Sequence, residues 1–269
     1  MRKLCNFFGF SRQAYYKQVR KKADSSRKDD LVVELVQKAR CINKMLGTKK
    51  VYKKFYDSIH AINTRLGRDK LFCLLGSRGL LIKGRRKYAI TTQSRHRFKK
   101  YENKMKGFKP QGVHQAWVGD MTYLRTRQGF GYLFLLTDAY SRKIVGWELT
   151  TSPGIESALK AARMAIRQCS GTKDLIHHSD RGFQYCSPLY TSEMESKGIQ
   201  MSMGEAGNCY DNAMAERVNG ILKAEYGMDA TFTDIREALR ATKESIKDYN
   251  EERPHWSLQL QIPSVLHDA

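Results

Sequence analysis

Long apolar runs are missing from this chain: none approaches the ~18 residues of a membrane span. The start, Met1-Arg2-Lys3-Leu4-Cys5-Asn6, also lacks the long apolar core of a secretory signal. The expectation is a soluble protein of the cell interior. The six cysteines, Cys5, Cys41, Cys73, Cys169, Cys186 and Cys209, form no C-x-x-C pair. That spacing argues against a structural zinc site and against a disulfide framework. His60 and His96 lack the close pairing of a zinc finger as well. No internal repeat is found.

Acid is the other scarcity, and it is local. Residues 1–110 hold 7 Asp/Glu against 31 Lys/Arg, a balance of +24, whereas residues 111–269 hold 20 against 17. One half is a polycation and the other is nearly neutral. Such asymmetry points to a polyanionic partner, nucleic acid first. What is present supports a packed fold: 41% hydrophobic residues and 10% aromatics over 269 residues, enough for one large domain or two of ordinary size.

Read along the chain, residues 1–30 are a partial helix-turn-helix and a charged linker. Ser11 caps a helix presenting Arg12 and Lys17, and Val19 to Asp30 is a linker or a fraying helix end. Residues 31–82 read as a helix-turn-helix DNA-binding domain. Apolar residues recur at Leu31, Leu35, Ala39, Ile42 and Leu46. Gly47-Thr48-Lys49-Lys50 breaks the pattern before a second helix from Val51 to His60. Ordinary helical packing gives the same apolar positions, so the DNA reading, with Arg12, Lys49 and Lys50 as contacts, rests on the surrounding charge. Residues 83–110 are a basic linker in which Arg85, Arg86 and Lys87 would neutralise phosphates.

Beyond Pro110 the pattern changes to α/β. Trp117 to Arg125, Tyr132 to Asp138 and Ile144 to Leu149 read as three strands in a meander. An alanine-rich helix from Ser157 to Cys169, a short strand from Asp174 to Ser179, a helix from Leu189 to Lys197 and a fifth strand from Gln200 to Met203 follow. Asp211 to Glu225 and Asp234 to Asn250 are the closing helices. Residues 111–269 therefore predict a mixed five-stranded sheet flanked by helices.

Three acids stand at element ends in that half: Asp120 in a strand, Asp180 after a strand, and Glu216 near a helix start, with 35 residues between the last two. Each alone has a dull reading as a turn, strand-end or solvated helix residue. Around Glu216 helix geometry aligns Asn212, Asn219 and Lys223 on one narrow face, directed away from the core, with Met214, Val218, Ile221 and Leu222 on another. That polar face is suited to metal and DNA, although a surface helix shows such a stripe too. Three converging carboxylates repel one another until a divalent cation joins them. Oxygen-only ligation favours Mg²⁺ or Mn²⁺ over zinc, with two ions roughly 3.5–4 Å apart clamping an in-line displacement. His177 and His178 are read as core packing or hydrogen-bonding residues. Tyr249, near Arg253 and His255, is read as a helix-to-loop feature rather than a recombinase nucleophile.

The runs Trp117-Val118-Gly119-Asp120-Met121-Thr122-Tyr123, His178-Ser179-Asp180-Arg181-Gly182-Phe183-Gln184-Tyr185, Gly207-Asn208-Cys209-Tyr210-Asp211-Asn212-Ala213-Met214-Ala215-Glu216 and Tyr249-Asn250-Glu251-Glu252-Arg253-Pro254-His255 resemble the bacterial insertion-sequence transposases. More narrowly they resemble the downstream-frame type, whose core is similar to retroviral integrase. The resemblance implies a ribonuclease-H-like core with an Asp-Asp-Glu triad at Asp120, Asp180 and Glu216, and a basic residue contacting DNA near the transferred end at Lys223. It implies cleavage and strand transfer at the terminal inverted repeats of double-stranded DNA, joining to target DNA, as a homo-oligomer in the bacterial cytoplasm at the nucleoid. An upstream-frame protein is implied as a fusion or partner. One departure is Glu205, where relatives often carry a basic residue, which puts a DNA contact from that loop in question. A ribonuclease-H-like nuclease without joining activity and a silent DNA-binding repressor are the rival readings.

Overall fold

A computed structural model describes residues 7, 9, 11–82, 97–205 and 212–269, and the chain divides into two units, 1–83 and 84–269. In the first unit the Ser11 hydroxyl accepts the Ala14 N–H at 3.1 Å and caps helix α1, Arg12–Ile42. This helix runs unbroken through Val19–Asp30, where a linker or frayed end was expected. Lys, Arg and Gln are good helix formers, and they carry the helix even though residues 12–28 are exposed. Helices α2 (Thr48–Lys54), α3 (Tyr56–Ile62) and α4 (Arg68–Ser77) close the unit over Val32, Val36, Leu46, Val51, Ile59, Leu66, Leu71 and Leu75. The buried face of α1 is thus Val32 and Val36, while Leu31 and Ile42 of the expected stripe are exposed. The expected helix from Val51 to His60 is two short helices, interrupted at Phe55.

The second unit is built on one mixed sheet. Strands β1 (Ala116–Thr126), β2 (Gly129–Asp138) and β3 (Ile144–Thr150) form an antiparallel meander, and β4 (Ile176–Ser179) and β5 (Gln200–Met203) add in parallel beyond β1. The order is β3-β2-β1-β4-β5, the five expected strands. A two-residue strand, β6 (Thr231–Phe232), pairs with the far end of β1 and is too short to leave a sequence pattern.

Alternation along β2 makes two cores. Phe134 and Leu136 point to one face, where α5 (Ile155–Gln168) brings Ala158, Ala161, Ala162 and Ala165. Beyond α6 (Phe183–Cys186), helix α7 (Pro188–Ser196) adds Tyr190 and Met194 to that face. Leu133 and Leu135 point to the other, against Val218, Ile221 and Leu222 of α8 (Ala213–Glu225) and Ala238, Ile246 and Tyr249 of α9 (Ile235–Glu251). The small residues of α5 let it lie directly on Gly146, where a Cβ would run into the Ala161 carbonyl oxygen. The chain ends in α10 (Pro263–His267). No helix among the described residues is long and apolar enough to cross a membrane.

Candidate active site

Register brings the first two acids together. The β1–β4 ladder pairs Gly119 with Ser179, so Asp120 and Asp180 are the next residue on each of two adjacent parallel strands. β4 stops there, and β6 begins opposite Arg125. Along that edge, residues 120–124 of β1 have no strand partner among the described residues. The site occupies this notch, at the carboxyl ends of parallel strands where α/β folds commonly place ligands.

Each carboxylate is held by the backbone. Asp120 Oδ1 accepts the Met121 N–H at 2.9 Å, and Asp180 Oδ1 accepts the Gly182 N–H at 2.9 Å. A side chain at Gly182 would crowd that same Asp180 oxygen, since its Cβ would stand 2.8 Å away. Behind β1, Gly119 leaves room for the His177 ring, which a Cβ would meet at 2.8 Å. His177 is fully buried on the Tyr190 hydroxyl at 2.8 Å, and His178 shares a hydrogen bond with Ser202 Oγ at 2.8 Å. Burial, with His178 beside it, pushes His177 down to about 3. Both histidines are core residues, as the sequence suggested.

Helix α8 completes the wall. Asn219 donates its amide to Asp120 Oδ2 at 2.7 Å, and Lys223, one turn on, places its ammonium 4.6 Å from the centre of the Tyr123 ring. This corrects the expected orientation of the polar stripe. Asn219 and Asn212 are buried, not directed to solvent, because Asn219 lies about 60° round the helix from the core residue Leu222 at ~100° per residue. Glu216 is exposed on the first turn of α8.

The electrostatics record the convergence. Burial first, then Asp180, and last and least Glu216 push the Asp120 carboxyl up to about 7, against the hydrogen bonds from Asn219 and Met121. Burial also lowers the Lys223 ammonium, aided by Arg125 and opposed by Asp120. Asp120 and Asp180 therefore form a close acidic pair, with Glu216 at the margin. Among the described residues, no group of three His, Cys, Asp or Glu side chains stands close enough to hold a metal ion. The donor chemistry nevertheless suits a hard divalent cation: oxygens only, a repelling acidic pair, and a buried Asn219 Oδ1 and Tyr185 hydroxyl left without a hydrogen-bond partner.

The remaining expected contacts lie elsewhere. Arg12 and Lys49 are exposed in the first unit, but Lys50 is only 7% exposed, packed into the helical core where it does not suit phosphate contact. Arg85, Arg86 and Lys87 lie outside the described residues. Glu205 is ion-paired with Lys106 at 3.6 Å, a local use for the acid that departs from the motif. Tyr249 is buried and donates to the Arg142 carbonyl at 3.0 Å, while Arg253 binds Glu225 through two bonds of 2.7 Å. That pair ties the end of α9 to the end of α8, which is the structural part expected of this motif. The sequence reading missed Asn219 as a partner of Asp120, and Gly182 as the donor to Asp180.

Comparisons with known proteins identify the family and the fold. Two models described as integrase core domain match residues 110–209 and 197–263. The 31 kDa protein of insertion element IS600 from Shigella sonnei is 34% identical over 269 residues, spanning 98% of this chain and 97% of that protein. The transposase for insertion sequence element IS629, also from Shigella sonnei, is 32% identical over 237 residues, 87% of this chain and 77% of its own length. Among solved structures, the simian T-cell lymphotropic virus intasome in complex with PP2A regulatory subunit B56 gamma shares the fold. Its TM-score is 0.52 at 15% identity, covering 78% of this chain and 70% of that one. The mixed sheet with its flanking helices is thus the ribonuclease-H-like integrase core, preceded by a helical region. With both core models matched and a relative aligned along nearly its whole length, the chain belongs to the integrase-core transposases of bacterial insertion sequences.

Proposed function

We propose that this transposase cuts DNA at transposon ends and joins the freed 3′-hydroxyl to another phosphodiester, using Asp120, Asp180 and Glu216 as its catalytic acids. The observation that carries the reading is the β1–β4 register, which sets Asp120 and Asp180 side by side at an open strand edge, with Glu216 on the adjoining helix. Such a site is charged for a cation. Asp120, Asp180 and Glu216 would hold Mg²⁺ or Mn²⁺, two ions per site, with Glu216 moving in from the margin. Bound there, the cations supply charge neutralisation and Lewis-acid activation of an oxygen nucleophile.

The chain's own groups orient the reaction. Asn219 and the Met121 N–H aim both oxygens of Asp120, and the Gly182 N–H aims Asp180. Lys223, half-buried against Tyr123, would meet a phosphate of the transferred strand. In the joining step the 3′-oxygen bonds to phosphorus, the target strand's own P–O3′ bond breaks, and its 3′-oxygen leaves with a proton. One phosphodiester replaces another, so no covalent bond to protein is needed. Arg12, Lys49 and the basic stretch containing Arg85, Arg86 and Lys87 would hold the terminal inverted repeats and target DNA through phosphates. Bringing two ends together calls for a dimer or larger assembly, with an upstream-frame protein as fusion or partner.

The test uses labelled transposon-end duplex with Mg²⁺ or Mn²⁺. Wild type should give joined product, and Asp120→Asn, Asp180→Asn and Glu216→Gln should each abolish it while end binding stays nearly intact. Nicked product alone would favour a nuclease, and joining retained in any of the three variants would sink the assignment.

A further inference from the structure

Beside the acids, on the same strand, lies an aromatic surface that the chemistry above does not use. Tyr123 and Phe130 are 42% and 52% exposed, with ring centroids 5.4 Å apart and planes at 84°. The β1–β2 register sets Phe130 opposite Arg125, and Tyr123 is two residues from Arg125, so all three share one face of the hairpin. These two exposed rings are in contact with each other and have cations around them. Arg125 and Arg127 are exposed, Lys223 covers one side of Tyr123 at 4.6 Å, and residues 121–137 contain no acid.

The surface is continuous with the site. Asn219 bonds to Asp120, Lys223 follows one helical turn later, and its ammonium rests on Tyr123, which touches Phe130. Asp120 and Tyr123, three residues apart on β1, point to opposite faces, and Lys223 links the two at the open edge, so a strand whose phosphate reached Asp120 would meet this hairpin by passing over that edge. Half-exposed rings with cations spaced around them are the chemistry of single-stranded nucleic acid binding, where bases stack on aromatics and phosphates meet Lys and Arg. A paired base presents only its edge at a groove, so a stacking step selects a base that has left the duplex.

We propose that Tyr123 and Phe130 form a stacking step for an unpaired nucleobase next to the phosphate being processed, making the hairpin a reader of frayed or single-stranded DNA at the transposon end. This deepens the transposase reading and rests on it for the strand's position, but the stacking itself requires no chemistry.

The experiment uses the full chain without divalent cation and two probes: a single-stranded oligothymidylate carrying one 2-aminopurine, and a blunt duplex of the same length. Raised salt screens the phosphate contacts and leaves stacking in view. Wild type should quench the 2-aminopurine. Tyr123→Leu and Phe130→Ala should each relieve the quench and weaken single-strand binding by about tenfold, on the scale of one lost base–aromatic stack. Duplex binding should be unchanged, and Tyr123→Phe, which keeps the ring, should behave as wild type. Both positions are exposed, and unchanged melting of the variants verifies their folding. Equal quenching and equal single-strand affinity in all variants would overturn the proposal, as would parallel losses on duplex. Asp120→Asn tests the catalytic reading separately: joining lost with quenching kept leaves both standing. Joining kept with quenching kept removes only the catalytic assignment.

Discussion

Asn219 reaches across 2.7 Å to Asp120, a residue 99 positions earlier in the chain, and fastens helix α8 to the central strand where the edge facing β4 and β6 has no strand partner among the described residues. The bond favours the ionised form of a carboxyl that burial and two neighbouring acids push the other way. Asp120 is therefore poised between charged and neutral near physiological pH.

This poise has a signature in stability. An aspartate held at about 7 when folded, against 3.8 as its ordinary value, binds its proton more tightly in the native state. Stability from this group is then lost as pH rises from about 4 to 7 and is level above that. Asp120→Asn removes the loss, so its stability gain over wild type should grow across this window and reach roughly 2–4 kcal/mol at pH 8 without divalent cation. Urea unfolding at pH 5 and pH 8 checks it. Adding Mg²⁺ at pH 8 should raise the wild-type melting temperature and leave Asp120→Asn nearly unmoved.

His177 slopes the opposite way. Its imidazole is held down to about 3 by burial, against the ordinary 6.5, so the unfolded chain binds the extra proton. The contribution is full above pH 6.5 and is lost as pH falls toward 3, at up to about 1.4 kcal/mol per pH unit. Between about 4 and 6.5 it offsets the Asp120 effect. In Asp120→Asn the offset disappears, and stability should climb visibly with pH over that range. A His177→Asn replacement in the same background should flatten the climb. Persistence of the slope would assign it to another group.

Arg253, 2% exposed, and Glu225 form a buried pair with two bonds of 2.7 Å. Arg253→Ala leaves a carboxylate buried without its partner and should cost roughly 3–5 kcal/mol. Replacing both residues by Met should cost less than the single change. Chemical denaturation of the two variants and the wild type separates these outcomes, and equal losses would mean that the pair is not what holds α9 to α8.

Gly146 is where α5 meets β3. Its missing side chain is the space occupied by the Ala161 carbonyl, so Gly146→Ala must push helix and sheet apart. A loss of about 1–3 kcal/mol is expected, typical of an overpacked core. A melting temperature unchanged within error would show that α5 can shift freely.

The strands of the core were readable to within a few residues because a sheet buried on both faces leaves short, near-continuous apolar runs between turn residues, and Asp120, Asp180 and Glu216 stood out as acids in a strand, after a strand and near a helix start. What escaped depended on a third dimension. Periodicity around Glu216 put Asn212, Glu216, Asn219 and Lys223 on one solvent-facing stripe, but it could not say that α8 wedges its Asn219 flank against a strand edge and leaves only Glu216 of the four exposed. Along α1, Leu31 and Val32 satisfy helical spacing equally well, and only packing against α2 to α4 chose Val32 and Val36. The surrounding charge points to Lys50 as a DNA contact, whereas in the helix that starts at Thr48 it is buried. Tyr123 lay in plain view within the Asp120 run, yet its exposure became visible only when Phe130 folded back beside it.

The notch in the sheet distributes freedom unequally among the three acids. Asp120 and Asp180 are each one residue beyond a shared ladder rung, so they cannot separate without unzipping β1 from β4. Glu216 rides on a different element, attached to the notch through Asn219 one turn away. The proposed trio would therefore draw two of its members from one fixed strand edge and the third from the exposed first turn of a helix, which Val218, Ile221 and Leu222 hold to the sheet further along.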